Sequence, residues 1–272
     1  MKNIIARMGV RLVCAASAVL LAAFSPAPVW LDPSAENDTP AFDAAVALVC
    51  APSSQTRTIH FPAGDIEFVT PPQPMPCAVT LKGEGLGATQ LIRRYSGGGF
   101  LHWVRGVDHR GGGLAALSVI AGSGTNGGIA VLVSATPDTD GTVNSYNRHS
   151  FVIDNVLVGR ESPADTSWDF GLYLDGSKNP DGNADSVPGI RDVTVSRSTF
   201  GGTNTASVYL NRARGTDLHI ECYTPLNGSF VGVVLDNGTD SVRLQTRGNC
   251  GYRSNDGTGR NLQYNGQYVA IP

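Results

Sequence analysis

The sequence predicts an all-β solenoid, in which short strands stack coil upon coil along one axis. Composition is the first observation behind this prediction, because the 272 residues include 33 Gly and 16 Pro and only 16% are charged. So many turn-forming residues with so few charges exclude a coiled coil or a long helical bundle. The hydrophobic content of 41% and the small net charge argue against disorder.

The second observation is a repeat of short segments that alternate apolar and variable residues, as half-buried strands do. One series comprises residues 156–158, 193–195, 218–220 and 242–244; the other comprises residues 131–133, 172–174, 208–210 and 233–235. The starts are 37, 25 and 24 residues apart in the first series and 41, 36 and 25 apart in the second. Two interleaved series that share a period indicate stacked coils, and the longer intervals indicate coils with loop insertions.

A single helix is predicted ahead of these strands, over residues 38–49. Asp38 or Thr39 is expected to cap its N-terminus, and Pro40 suits the first turn. The apolar residues that would share one helix face are Phe42, Val46 and Val49.

Three N-terminal motifs resemble those of a known family. They are NDTPAFDAAVA (37–47), TIHFPAGDIEF (58–68) and VTLKGEGLGATQLIR (79–93). Together they are similar to the N-terminal region of pectate-lyase-like proteins of the pectin lyase superfamily. The resemblance implies a single-stranded right-handed parallel β-helix with a short N-terminal helix that caps its open end. It does not imply an activity, because the same pattern precedes lyases, glycosidases, phage tailspikes and proteins with no known activity.

The resemblance and the repeat together divide the chain into four parts. Residues 1–27 are a signal peptide or an N-terminal apolar arm, and residues 28–79 hold the capping helix and the first coil. The parallel β-helix spans residues 80–250, and residues 251–272 form a C-terminal cap or tail. Since tailspikes are typically trimers, the resemblance also admits a homotrimer.

Residues 1–27 have the three-part layout of a secretory signal. Basic residues precede an apolar run over residues 12–24, and the small residues Ser25 and Ala27 follow. The run is too short for a comfortable membrane span. We therefore expect a secreted, periplasmic or cell-surface protein. The alternative is an uncleaved N-terminal arm, which would suit a virion protein.

The charge of the chain argues against one class of binding partner. Residues 28–272 carry 17 Lys and Arg against 23 Asp and Glu, with no basic stripe, so nucleic acid is not an expected partner.

The four cysteines in this part are Cys50, Cys77, Cys222 and Cys250. Four cysteines allow three pairings. We favour Cys50–Cys77 and Cys222–Cys250, because each pair is separated by roughly one repeat. No cysteine spacing resembles a metal site.

The best candidate site follows from aligning the second strand series coil on coil. This alignment predicts two adjacent outward columns. The first contains Ser134, Asp175, Asn211 and Asp236, and the second contains Leu132, Tyr173, Tyr209 and Val234. Asp175 and Asp236 would lie two coils, or about 9.6 Å, apart. That is near the wide end of the ~6.5–9.5 Å range of inverting glycosidases.

In this hypothesis Asp175 and Asp236 are catalytic, and Tyr173, Tyr209 and Asn211 bind the substrate. Aromatic faces stack on sugar rings, and carboxylates accept hydrogen bonds from sugar hydroxyls. The alternative is structural: Gly176 follows Asp175, and Asn237 and Gly238 follow Asp236, so both carboxylates could simply shape turns.

A second candidate site lies in the first series, where Asp217, His219 and Glu221 alternate along one strand. Arg243 is expected beside His219 in the next coil, and Gln245 beside Glu221. A histidine between two carboxylates could act as a general base. The alternative is a solvated polar face.

Loop insertions over residues 134–150, 159–170 and 175–189 are the third candidate, because loops on a rigid scaffold often hold function. Trp168 is a candidate sugar platform. Oxygen ligands alternate there as calcium would require, at Asp181, Asn183, Asp185 and Asp192. The glycine and the bidentate glutamate of an EF-hand loop are missing, so we expect no cofactor, with calcium as the alternative.

These observations predict an extracytoplasmic β-helix protein that binds a polysaccharide. The sequence leaves open whether it also cleaves the polysaccharide, as a glycoside hydrolase or a lyase. Polygalacturonase-like motifs such as a paired Asp-Asp, Gly-His-Gly and Arg-x-Lys are absent from the sequence. The alternative is a non-catalytic protein, either a glycan-binding surface protein or a virion component of the tailspike or tail-associated kind.

Overall fold

The computed structural model of the chain describes residues 28–33, 36–105, 111–135, 150–162, 167–176, 190–223, 231–236, 238–248, 250–254 and 261–269. The predicted signal peptide at residues 1–27 lies outside the described residues. The described part of the chain is all-β, with one helix and long parallel sheets. In that part, no helix is both long and apolar enough to cross a membrane.

One helix and nineteen strands are described. They are β1 (Val29–Trp30), α1 (Thr39–Cys50), β2 (Thr58–His60), β3 (Gly64–Phe68), β4 (Thr80–Lys82), β5 (Thr89–Arg93), β6 (Gly99–Arg105), β7 (Gly113–Ala121), β8 (Ile129–Ala135), β9 (Phe151–Arg160), β10 (Trp168–Asp175), β11 (Ile190–Arg191), β12 (Val193–Phe200), β13 (Thr203–Asn211), β14 (Ala213–Cys222), β15 (Val231–Asp236), β16 (Asp240–Gly248), β17 (Tyr252–Ser254), β18 (Leu262–Tyr264) and β19 (Gln267–Val269).

The strands form two sheets. The large sheet has the order β1-β2-β4-β7-β9-β12-β14-β16-β18-β19, with β3 and β5 joined through β7 and with β11 on β14. The small sheet has the order β6-β8-β10-β13-β15-β17. Every strand pair is parallel except the β18–β19 hairpin. From β6 to β18, apart from the short β11, the chain alternates between the two sheets and therefore winds as a β-helix or solenoid does.

The small sheet has the register that the second strand series predicts. Val131 pairs with Leu172, Leu172 with Val208, and Val208 with Val233. These four side chains are fully buried and belong to one continuous apolar core. The parallel pairing continues past residue 250, since β17 pairs with β15.

The large sheet bends along a line of residues with positive φ. β7 pairs with β4 before Ala116 and with β5 after it. Ala116 has a φ of 53°, and its neighbours across the sheet, Asn155 and Arg197, have φ values of 54° and 49°. Left-handed backbone at each of these positions turns a long strand into two segments that face different directions. Together with the small sheet, a middle coil thus contributes three strand segments.

The predicted register of the first strand series is wrong at each of its three pairings, and for the opening pair the bend is the reason. Val156 follows the bend in β9, whereas Val193 precedes the bend in β12. Val193 therefore pairs with Phe151, and Thr199 pairs with Leu157. Residues that look alike in sequence lie on different segments of the coil.

The helix forms where the sequence predicts it, but a different residue holds its N-terminus. Asp38 makes no side-chain capping bond. Instead, the Asn37 side-chain oxygen accepts hydrogen bonds from the backbone N–H groups of Thr39 (3.1 Å) and Val69 (3.2 Å). The Asp38 carboxylate accepts from the N–H of Glu67 at 2.8 Å. Both side chains thus tie the helix to β3.

The buried face of the helix packs on aromatic side chains of the first strands. The ring centroids of Phe42 and Phe68 are 5.4 Å apart, edge to face, and those of Phe42 and Phe61 are 6.2 Å apart. Phe68 in turn contacts Phe100 of the small sheet at 5.0 Å. This chain of rings joins the helix to the core of the solenoid.

Arg93 is fully buried where three successive turns meet. Its guanidinium donates hydrogen bonds to the carbonyl oxygens of Gly127 at 2.7 Å and Ser167 at 3.3 Å. It also lies 3.9 Å from the ring centroid of Trp168, as in a cation–π contact. Burial lowers the pKa of Arg93 to about 10, so the side chain stays charged at neutral pH. One side chain thereby holds the turns of neighbouring coils in register.

A second arginine links coils on the surface. Arg94 pairs with Glu67 at 2.6 Å and with Glu161 at 2.5 Å. Glu161 also accepts hydrogen bonds from the backbone and hydroxyl groups of Ser123. Burial opposes ionisation of Glu161, but Arg94 and Ser123 outweigh it and hold the pKa of Glu161 below its ordinary value of 4.5.

The four described cysteines lie at disulfide distance in the pairing that we favour from the sequence. The Cα atoms of Cys50 and Cys77 are 5.7 Å apart, and those of Cys222 and Cys250 are 5.1 Å apart. Both separations fall within the range of disulfides. Two such pairs are compatible with an extracellular location.

The tight approach of β7 to β9 predicts a severe effect of Gly113→Ala. Gly113 has a φ of 146°, and a Cβ atom there would overlap the carbonyl oxygen of Val152. We expect a loss of at least about 2 kcal/mol in the free energy of unfolding, measured by urea denaturation. Gly251→Ala is the matched control, because a Cβ atom there meets nothing within 4 Å. Equal stability of the two variants would contradict this account.

The Arg94 network predicts a pH-dependent contribution to stability. Because the pKa of Glu161 is lowered by folding, the network stabilises the protein above the unfolded-state pKa and is lost as pH falls through the folded-state pKa. Glu161→Gln should therefore cost roughly 0.5–1 kcal/mol at pH 7 and much less in acid. The measurement is urea denaturation at both pH values. Glu84→Gln, an exposed glutamate with no ion pair in the described residues, should show no such difference.

Candidate functional site

The outer face of the small sheet carries the column of polar residues that the sequence predicts. Asp175 pairs with Ser134 on one side and with Asn211 on the other, and Asn211 pairs with Asp236. Both carboxylates are half-buried, whereas Ser134 and Asn211 are buried. The strand register thus brings Asp175 and Asp236 to the two sides of Asn211.

The adjacent column is aromatic at its centre. Tyr173 pairs with Leu132 and with Tyr209, and Tyr209 pairs with Val234. The two tyrosines are half-buried, and Val234 is buried. Since alternate residues of a strand share a face, the tyrosines lie directly beside the carboxylate column.

Hydrogen bonds connect the two columns and fix both carboxylates. The Asn211 side-chain amide donates to Asp175 Oδ1 at 3.1 Å. The Tyr209 hydroxyl donates to Asp236 Oδ2. In the turn after β15, the Thr239 hydroxyl donates to the backbone carbonyl of Asp236 at 2.7 Å.

Three aromatic rings form a cluster on this face. The ring centroids of Tyr173 and Tyr209 are 4.8 Å apart, and Phe170 lies 5.4 Å from Tyr173 and 5.2 Å from Tyr209. All three side chains are half-buried. Tilted and edge-to-face contacts hold the rings in place while part of each ring stays accessible.

Burial, together with the charge of Asp175, raises the pKa of Tyr173. The phenol is therefore protonated at neutral pH and donates hydrogen bonds. In sum, this face offers flat apolar rings, phenolic hydroxyls, an amide and two carboxylates within a few strand spacings.

The separation of the carboxylates sets what they could do chemically. Asp175 and Asp236 lie two strands apart, which corresponds to about 9.6 Å along the stack. Inverting glycosidases place their acid and base ~6.5–9.5 Å apart, whereas retaining enzymes need ~5 Å. Of the two glycosidase geometries, the spacing therefore favours inversion.

The prediction for Trp168 is wrong. Its side chain is fully buried, stacks on Phe100 with ring centroids 6.0 Å apart, and lies over the Arg93 guanidinium. The indole N–H donates to the carbonyl of Gly159 at 2.8 Å. Trp168 thus belongs to the core and presents no face to a sugar.

The second candidate site forms with a different register. Arg243 pairs with Asp217, Gln245 with His219, and Arg247 with Glu221, so the predicted neighbours of His219 and Glu221 are displaced by one outward position. The error follows from aligning Val242 with Leu218, whereas Val242 pairs with Thr216.

A charged network nevertheless connects residues of this second site. Asp217 Oδ1 lies 3.1 Å from His219 Nε2, and Asp217 Oδ2 lies 3.2 Å from Arg243 Nη1. Arg243 also donates to the Gln263 side chain at 3.0 Å. His219 and Glu221 line an open groove of about 700 Å³ on the large sheet.

The groove lies beside a register shift between β12 and β14. The pairing of β12 with β14 shifts between Val195 and Ser198, so Ser196 and Arg197 together face His219. Such bulges re-aim side chains and are frequent beside functional sites. No described residue from 216 to 222 has positive φ, so β14 continues past the point where β12 bends.

Sequence reasoning missed Arg197 and Arg247, which line the same groove. Arg197 pairs with Asp154, and this pair lowers the pKa of Asp154 and raises that of Arg197. A strict alternation of residues cannot reveal a bulge. The positive φ of Arg197, at a position where Asn or Gly would be usual, leaves no signal in the sequence.

Several predicted ligands of calcium cannot be placed. Asp181, Asn183 and Asp185 lie outside the described residues, as do most residues of the three loop insertions. Asp192 is described and has a φ of 55° at a turn between strands. No group of three His, Cys, Asp or Glu side chains suited to a metal ion occurs among the residues that the structure describes.

Comparison with known proteins gives no match: no family model, no curated protein and no solved structure is significantly similar to this chain.

Proposed function

We propose that the protein is an extracytoplasmic β-helix protein that binds a polysaccharide across the outer face of the small sheet. The parallel sheets and the three N-terminal motifs support a right-handed, single-stranded β-helix of the pectate-lyase-like kind, capped by α1. The cysteine pairs at disulfide distance support a location outside the cytoplasm.

One observation carries the proposal: the cluster of Phe170, Tyr173 and Tyr209 lies beside Asp175 and Asp236. Binding sites for small polar ligands combine apolar and aromatic surface with a few fixed polar groups. Here the rings supply the surface that packs on a sugar ring. Because Asn211 and Tyr209 fix the two carboxylates, these acceptors for sugar hydroxyls are held in place before the ligand binds.

The columns also suit a polymer better than a single sugar. Each column runs along the stack: Tyr173 and Tyr209 are one strand spacing apart, about 4.8 Å, and Asp175 and Asp236 are two spacings apart. A chain that lies along the stack meets Tyr173 and then Tyr209, and Asp175 and then Asp236. We therefore infer a linear glycan that runs along the solenoid axis.

Cleavage is the stronger form of the proposal. In it, Asp175 and Asp236 serve as the acid and base of an inverting hydrolase, in either assignment, because their separation leaves room for a water molecule between base and sugar. The hydrolase would transfer a proton to the glycosidic oxygen from one carboxyl group, while the other takes a proton from that water.

The test is a screen of bacterial and plant polysaccharides for binding, for release of reducing ends and for unsaturated products that absorb in the ultraviolet. We expect at least one polysaccharide to bind. Tyr173→Ala and Tyr209→Ala should each weaken its binding about tenfold or more, since each removes a partly buried ring from the contact surface. Thr194→Ala, an exposed residue on the large sheet, is the control and should bind normally.

The carboxylates are tested on the same polysaccharide. Asp175→Asn and Asp236→Asn should keep binding within a few fold and abolish release of reducing ends, with melting temperatures that show intact folding. Unchanged turnover in both variants would contradict the carboxylate assignment. Binding without turnover in the unmodified protein would leave a non-catalytic glycan-binding protein, and no binding to any polysaccharide would overturn the proposal as a whole.

A further inference from the structure

The groove on the large sheet uses none of the residues of the proposed glycan face. It is lined by β12, β14 and β16 and by Asn265 and Gly266 of the turn between β18 and β19. Its volume is about 700 Å³, which is enough for a sugar residue or another small polar molecule. The side chains in it therefore need an explanation of their own.

One row of the groove places three different polar groups at the same register. Thr199 pairs with Glu221, and Glu221 pairs with Arg247. A hydroxyl, a carboxylate and a guanidinium therefore follow one another along the stack at about 4.8 Å, measured between strands. All three side chains line the groove.

The two charges of this row differ from three arginine–aspartate pairs on the same sheet. Arg197 pairs with Asp154, Arg243 with Asp217, and Arg214 with Asp240. In contrast, Glu221 and Arg247 form no ion pair, with each other or with any other residue, in the part of the chain that the structure describes. A carboxylate and a guanidinium thus face the groove side by side with their bonding capacity unused.

The next row of the groove contains His219 and Gln245. It adds hydrogen-bonding groups but no further charged side chain that lacks an ion pair. His219 pairs in register with Gln245, and the Asp217 carboxylate lies 3.1 Å from the His219 imidazole. Apart from the His219 imidazole, the lining residues include no aromatic side chain among those described. Recognition in this groove therefore depends on charge and hydrogen bonds, whereas the small-sheet face offers stacking.

We propose that the groove binds a zwitterionic ligand, a sugar residue or an amino acid that carries both a free ammonium group and a carboxylate. The ammonium group binds Glu221, and the carboxylate takes the paired N–H donors of Arg247. Thr199 and Gln245 bind the remaining hydroxyl or amide groups. A ligand with only one charge satisfies one of the two side chains and leaves the other unpaired.

The test compares four probes by isothermal titration calorimetry on the full chain. They are 2-amino-2-deoxyglucuronic acid, its N-acetyl derivative, glucosamine, and alanine. The aminouronate carries both charges, the N-acetyl derivative only the carboxylate, and glucosamine only the ammonium. We expect the aminouronate to bind about tenfold more tightly than either single-charge analogue, because each loses one charged hydrogen-bonded contact. Alanine tests whether the ligand is an amino acid or a sugar residue. If alanine binds as tightly as the aminouronate, the ligand is an amino acid; if it binds more weakly, the ligand is a sugar residue.

Two variants test which side chain binds the ammonium group of the ligand and which binds its carboxylate. Glu221→Gln should remove the preference for the aminouronate over its N-acetyl derivative, and Arg247→Gln should remove the preference over glucosamine. Tyr209→Ala, on the small sheet, should change neither preference, so failure of the glycan proposal and failure of this one are distinguishable. Equal affinity for all four probes, binding by none of them, or preferences unchanged in both variants would overturn the proposal.

Discussion

In-register pairing of parallel strands is the constraint on which the rest of the structure depends. When Leu172 pairs with Val131 and Val208, the apolar side chains of successive coils meet in the core. The same register necessarily places Asp175 beside Asn211 on the outside, because the side-chain period of a strand is two. Core and surface columns are therefore two results of one alignment, and a shift by one residue would exchange them.

Residues at the bends and turns of the coils preserve this register, although the coils differ in length. Left-handed residues such as Asn155 and Arg197 turn the chain within the large sheet, and Arg93 bonds the turns of successive coils to one another. The strands on both sides of each long insertion pair in parallel with the neighbouring coils. Loop closure costs little for each added residue, which makes such insertions tolerable.

This constraint also explains what could be predicted from the sequence. From Leu172, Val208 and Val233 onward the strands of the small sheet pair without a register shift, so their alternation reveals both the core residues and the columns that contain Tyr173 and Asp236. The large sheet bends within β9 and β12, and local alternation cannot tell which side of a bend a residue occupies. The burial of Trp168 could not be predicted from the sequence either. Its partner Arg93 is 75 residues away, and the burial of Trp168 depends on three turns that meet in the folded chain.

The two outer faces differ in the interactions that they can make, and the solenoid keeps them independent. The small-sheet face has aromatic rings and carboxylates at its centre, and Arg253 continues the aromatic column beyond Val234, so its central part suits hydroxyl-rich ligands. The groove has charges of both signs and no described Phe, Tyr or Trp ring, so it suits a ligand with opposite charges. Substituting Tyr209 leaves the residues that face the groove in place, and substituting Arg247 does the same for the small-sheet face. Because the two sites share no residue, effects at one should add to effects at the other, as they do for independent sites.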